Sequence, residues 1–145
     1  MRNDLLQKLG DTMTTITRTM MAKNHDAFVC ISPALDKLLM LVGIYDGIRI
    51  KEIASFLHIT SGAAAQAVST LEADGFVHRT PNPDDRRETL VELTDKGQRA
   101  LVKIREIHKR QLTELFAALT DTELQNLVAL ITKAINGVTK EGVSS

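Results

Sequence analysis

Two consecutive arginines, Arg86 and Arg87, close the turn-rich run TPNPDDRR, in which no apolar residue offers either side chain a core to pack on. Guanidinium groups on a projecting tip suit phosphate contacts or a narrow, electronegative minor groove. Asp85, two positions before Arg87, can accept from it and hold its rotamer, so that the charge arrives already oriented. The plainer reading of the same residues is a solvated loop with an internal ion pair, worth ~0–1 kcal/mol.

A second candidate surface precedes the tip. Thr60 and Ser61 stand at a predicted helix start, where free backbone N–H groups and hydroxyls suit phosphate. Opposite the apolar residues Ala64, Val68 and Leu71, the outward row of that helix holds Ser61, Gly62, Ala65, Gln66, Ser69 and Thr70. Gln66 can pair with adenine through two hydrogen bonds, and an alanine can pack on a thymine methyl. No Lys or Arg occurs between Lys51 and Arg79, so this row carries no charge of its own. These residues predict a salt-sensitive DNA binder of moderate strength whose specificity leans on shape.

The elements that must position these groups follow from apolar spacing. Leu5, Leu9, Met13, Ile16 and Met20 mark a one-faced amphipathic helix, and HDAFVCIS interrupts it. Ser32-Pro33 is a strong helix start, and Leu35, Leu38, Leu39 and Val42 stripe the helix that ends at Gly43 or the Asp46-Gly47 turn. Ile48–Ile50 suits a short strand and Lys51–Leu57 a short helix. His58-Ile59-Thr60 turns the chain, Thr60 caps a helix running to Asp74, and Gly75 stops it. Two short helices joined by a three-residue turn form a helix-turn-helix. Phe76–Arg79 and Glu88–Leu93 read as two strands flanking the charged tip. Thr94 caps a long helix reaching Leu119, Thr120 with Glu123 forms a capping box, and the last helix stops at Gly137. The expected fold is mainly α with a small β-wing: one domain over 1–145, with a winged helix-turn-helix at 32–97 between helical dimerisation regions at 1–31 and 98–145.

At 145 residues, with 43% hydrophobic and 25% charged residues, the chain is long enough for one aliphatic core. Net charge is zero, but residues 76–110 hold nine bases against six acids, and residues 25–75 only three bases against six acids. The positive excess therefore gathers at the hairpin and the start of the helix after it, and at the N-terminal arm, where residues 1–24 hold four bases against two acids. The single cysteine, Cys30, excludes an internal disulfide framework, and no apolar run reaches the ~20 residues a membrane span needs. A cytoplasmic location without a membrane partner is expected. Histidines 25, 58, 78 and 108 are scattered, with no H-x-x-x-H or C-x-x-C, so no metal is expected. Nothing pairs a nucleophile with a base, which argues against an enzyme.

A helix-turn-helix ending in LEADGFV, then PDDRR, then LVELTDKG resembles the MarR family of winged-helix transcription regulators. The sharpest part is D-x-R followed by L-T-x-x-G, carried by Asp85, Arg87, Leu93, Thr94 and Gly97. The resemblance implies a homodimer with interlocking terminal helices, a recognition helix in the major groove of double-stranded DNA and a wing on the backbone or minor groove. It also implies a repressor released from a pseudo-palindromic operator by a small phenolic or lipophilic effector, with no other cofactor. Phe28, Met40, Tyr45, Phe56 and the Met13–Met20 face are candidates to line the effector cleft or else ordinary core, and Cys30 is a redox candidate or else a buried free thiol. In that family the position of Gln66 is commonly basic. This departure motivates an alternative, a winged-helix dimer serving as a ligand-binding or protein-interaction module with weak or lost DNA binding.

Overall fold

The hydroxyl of Ser32 accepts from the backbone N–H of Leu35 at 3.3 Å, and Pro33, with no N–H to leave unpaired, opens the helix behind it. In the computed structural model, which describes residues 1–23 and 32–142, that helix is α2 (Pro33–Ile44), preceded by α1 (Arg2–Lys23). The chain continues through β1 (Ile48–Arg49), α3 (Ile50–Leu57), α4 (Ser61–Ala73), β2 (Val77–Pro81), β3 (Thr89–Leu93), α5 (Asp95–Leu115) and α6 (Asp121–Gly142). It is mainly helical with a small antiparallel sheet. Cys30, Phe28 and His25 lie outside the described residues.

The sheet order is β1-β3-β2, all antiparallel. β3 is therefore central: Val91 faces Ile48 on one side and Arg79 on the other. Pro81 belongs to β2 and pairs with Thr89, which is permitted because β2 is an edge strand and a missing N–H there breaks no second ladder. The strands are offset from their expected positions, β2 by one or two residues and β3 by one at its start, and the tip between them shortens to Asn82–Glu88.

Leu38, Leu39 and Val42 of α2, Ile53 of α3, and Ala64, Val68 and Leu71 of α4 close one core with Ile48, Val77, Val91 and Ile104. Four elements meet at one point: the end of α4, the start of β2, the end of β3 and the first turn of α5. The Thr94 hydroxyl donates to the Gly75 carbonyl and accepts from Gly97 N–H at 3.0 Å, while Thr94 N–H donates to the Phe76 carbonyl at 3.1 Å. A Cβ added at Gly97 would collide with that same carbonyl. The L-T-x-x-G motif is thus a joint: threonine caps α5 while tying it to the end of α4, and glycine lets the helix approach the backbone entering the wing.

Two compact units make up the chain, Met1–Ile107 and His108–Ser145. In the second, Glu123 accepts from Thr120 N–H at 2.8 Å and the Thr120 hydroxyl accepts from Glu123 N–H at 3.2 Å, the capping box that starts α6. α6 passes through Gly137 and runs to Gly142. One glycine costs only ~1 kcal/mol against alanine, too little by itself to end a 22-residue helix. α5, in turn, ends at Leu115, so Leu119 belongs to the turn before Thr120. On α1, Leu5, Leu9 and Met13 stay more than half exposed, as do Val128, Ile131, Ile135 and Val138 on α6. No helix among the described residues is long and apolar enough to cross a membrane.

Gly97→Ala is expected to lower stability by about 2 kcal/mol or more, since backbone must shift to admit the methyl. A urea titration should show a lower midpoint, and an unchanged midpoint would deny the joint its tight approach.

Candidate nucleic-acid interface

α3 ends on His58, whose φ of 53° and ψ of 45° place a non-glycine residue in the left-handed region. Its N–H donates to Ser55 O at 3.4 Å and the Ile59 N–H to Ala54 O at 3.0 Å, closing the last turn much as a glycine cap would. The chain thereby reverses within three residues and enters α4. There the Thr60 hydroxyl accepts from Ala63 N–H at 3.1 Å. Its own hydrogen stays available to an acceptor outside.

Ser61, Gly62, Gln66 and Ser69 are exposed on α4, opposite the stripe of Ala64, Val68 and Leu71. Ala65 and Thr70 are half-buried rather than outward. At 3.6 residues per turn, each lies about a quarter-turn from a residue of the buried stripe, on its flank. Thr70 donates its hydroxyl back to Gln66 O at 3.1 Å, and Ser69 donates to Ala65 O at 2.9 Å.

The outer face of α4 does carry a cation, delivered from another element. Arg79 of β2 reaches across so that one guanidinium nitrogen donates to Ser69 Oγ at 3.0 Å and to Ala65 O at 3.2 Å. Its other terminal nitrogen lies 3.6 Å from the Glu72 carboxylate. The side chain is 32% exposed, held on three sides with the rest of its edge in solvent. Sequence reasoning missed it because a strand residue was not weighed against the face of a helix ten and fourteen positions away. The available signal was alternation along β2, with Val77 buried and Arg79 paired to the central strand.

Beyond Arg79 the tip is built by the side-chain oxygens of Asn82 and Asp85. Asn82 Oδ1 accepts from Asp84 N–H at 3.0 Å, and Asp85 Oδ1 accepts from Arg87 N–H at 3.0 Å and from Arg87 Nε at 3.2 Å. Asp85 thus fixes both the backbone and the side chain of Arg87, whose guanidinium is 91% exposed. Arg86 is exposed beside it. Arg79, Arg86 and Arg87 share the wing, while Gln66, Ser61 and Gly62 occupy α4, so the candidate groups divide between two elements.

At the root of the tip, Arg49 occupies the N-cap of α3. An arginine side chain has no acceptor to offer the helix, so only Glu52 works the cap, accepting from Arg49 N–H at 3.0 Å. The guanidinium turns outward, donating to Glu52 at 3.0 Å and to both oxygens of Glu88 at 3.1 Å. Backbone and side-chain hydrogen bonds from Arg49 hold the Glu52 carboxyl below its ordinary value of 4.5. Glu52, Asp84, Asp85 and Glu88 line a shallow concavity of about 530 Å³ around Arg49. Four carboxylates make that hollow a poor surface for a polyanion.

Residues 31–89 match the family model described as MarR family, a match that spans the helix-turn-helix and most of the wing. The matched stretch is thus similar to the MarR family. Among its relatives, the uncharacterized HTH-type transcriptional regulator YkoM of Bacillus subtilis is 35% identical over 86 residues, 59% of this chain and 56% of that protein. The chain thus spans little more than half of YkoM. The HTH-type transcriptional regulator BilQ of Clostridium symbiosum is 29% identical over 131 residues, 88% of this chain and 90% of that one. A mutant of MarR from E. coli, solved in complex with operator DNA, has the same fold, with a TM-score of 0.68 and 24% identity over 90% of this chain and 96% of that one. The two relatives are named as transcriptional regulators, not enzymes.

Because the folded Glu52 carboxyl ionises more readily than the unfolded one, its contribution is complete above the ordinary value of 4.5 and disappears as pH falls through the lowered folded value. Glu52→Gln is therefore expected to flatten the acid limb of a stability–pH curve and to leave its neutral limb parallel to the parent. Equal acid slopes for the two proteins would show that this carboxylate carries none of the pH dependence.

Proposed function

We propose that the protein is a homodimeric MarR-type regulator that binds a pseudo-palindromic operator and represses from it until a small phenolic or lipophilic effector releases it. The observation that carries this reading is the placement of Arg79. Its guanidinium is tied to Ser69 and Ala65 O on the outer face of a recognition helix that has no base of its own. Arg86 and Arg87 extend the same cationic wing past the helix. The alternative without DNA binding draws its motive from an uncharged helix face, and Arg79 supplies a cation beside that face. A MarR mutant from E. coli with the same fold was solved with operator DNA, a precedent for DNA binding by this fold.

In this reading the small residues of α4, with Gly62 and Ser61 at its start, let the helix approach the major groove closely, and Gln66 reads a base edge. Arg79 anchors a phosphate beside the helix, and the tip arginines take the backbone or the adjacent minor groove. The exposed apolar stripes of α1 and α6 supply the surface that a second copy buries. Two-fold symmetry then sets the recognition helices one helical turn apart, ~34–36 Å. Tyr45 and Phe56, exposed with ring centroids 5.6 Å apart, offer an aromatic surface for the effector.

Binding of the purified protein to a fragment of its own promoter, titrated with salt, tests the reading. With three wing arginines per subunit, log affinity is expected to fall against log salt with a slope near −5. Arg87→Ala, folded and dimeric, should lose roughly tenfold or more in affinity and about two units of slope, one for each subunit. Undiminished operator affinity in that variant would remove the wing from the interface. On the dimer side, Ile131→Asp should shift sedimentation toward the monomer, and a parent protein that sediments as a monomer at micromolar concentration would end the two-fold model. Addition of phenolic and lipophilic compounds to the preformed complex checks release.

A further inference from the structure

We infer that Arg49 is the wing-positioning residue: its ion pair with Glu88 locks the tip against the first turn of α3, and the tip arginines work only while that lock holds. β1 contributes just two ladder pairs to β3, Ile48 to Val91 and Arg49 to Leu90, so backbone bonding alone ties the wing weakly to the helix-turn-helix. Past Thr89 the ladder has ended. There the Glu88 carboxylate takes both bonds from Arg49, one from Asn82 Nδ2 at 3.2 Å, and lies 3.7 Å from Lys51 Nζ. Asn82 N–H meanwhile donates to Glu88 O at 3.0 Å, so the two ends of the tip are clasped together and the clasp is held by Arg49.

Arg49 is itself immobilised, because Glu52 accepts from its backbone and from its guanidinium. A planar fork bridging two carboxylates transmits orientation in a way that a lysine point charge cannot. The acidic hollow around it argues against direct phosphate contact by Arg49. The role is one of positioning.

Two arms test it, and only the second rests on the DNA-binding reading above. In the first, trypsin cleavage after Arg86 and Arg87 is timed by mass spectrometry. Arg49→Ala and Glu88→Gln should each speed cleavage at the tip by about tenfold while cleavage in α5 and the urea midpoint hold steady. Tip cleavage at the parent rate, or acceleration at every site together, overturns the proposal. In the second, operator affinity is measured for Arg49→Ala, Arg87→Ala and the pair. Arg49→Ala should cost about tenfold and the added Arg87→Ala less than about twofold more, whereas Gln66→Ala should keep its full effect in either background. Independent, multiplying losses overturn the lock. Glu88→Gln distinguishes positioning from direct contact: a lock predicts weaker binding, whereas a freed Arg49 that touches DNA predicts tighter binding and overturns the proposal. Faster tip cleavage in the variants of a parent protein without affinity for duplex DNA would retain the lock and reject the DNA-binding reading.

Discussion

The joint formed by Gly75, Phe76, Thr94 and Gly97 is the constraint on which the other features depend. Four elements meet there: the end of α4, the start of β2, the end of β3 and the first turn of α5. One hydroxyl serves two of them, donating to Gly75 O and accepting from Gly97 N–H, and a missing Cβ gives α5 room beneath Phe76 O. Lys96 adds a third tie, donating to Asp74 O at 2.6 Å with its ammonium 4.6 Å from the centroid of the Phe76 ring. Because β2 leaves this joint in a fixed direction, Arg79 falls on α4. If the joint opened by an ångström, the guanidinium bonds to Ser69 and Ala65 O would lengthen past useful range.

Charge is distributed in keeping with that frame. α4 presents small residues and no base, so its backbone can come close to whatever it faces, while the cations are carried on strands and a loop. The wing cations differ in how firmly they are held: Arg79 has three partners, Arg87 has one aspartate, and Arg86 stands exposed. In the proposed complex this grading would give a fixed anchor beside the groove and more adaptable contacts farther out. The zero net charge of the chain is compatible with this, since association with a polyanion depends on local potential.

Local chemistry was legible in the sequence, and long-range placement was not. Ser32, Thr60, Thr94 and Thr120 were each read as caps, and each accepts from the expected N–H three residues on. A capping bond depends only on four consecutive residues, so sequence carries it whole. Asp85 and Arg87 were likewise readable at a separation of two. Arg79 was not, because its partners lie ten and fourteen residues back and the strand must first be folded against the helix. Arg49 was harder still. Its partner on the wing, Glu88, is 39 positions away, and only the local partner, Glu52, lies within reach of a sequence pattern. Ala65 and Thr70 were misjudged for a different reason: a helical row taken as outward includes flank positions whenever the buried stripe is wider than one residue.

The unusual N-cap follows from the same logic. A serine or threonine at position 49 would accept from the α3 backbone and be worth ~1 kcal/mol to that helix. Arginine gives up that bond, and Glu52 recovers half of the cap by accepting from the Arg49 N–H. What the helix loses locally, the molecule regains as a polar connection between α3 and the wing tip, beyond the core that Ile53 shares with Val77 and Val91 and the two-residue strand β1. A partly exposed ion pair of this kind contributes little to global stability. Its value lies in orientation, since the fork leaves Glu88 one direction in which to sit and the tip closes on Glu88. The residue that looks misplaced by helix-capping rules is therefore well placed for holding a wing, and stability measurements alone would undervalue it.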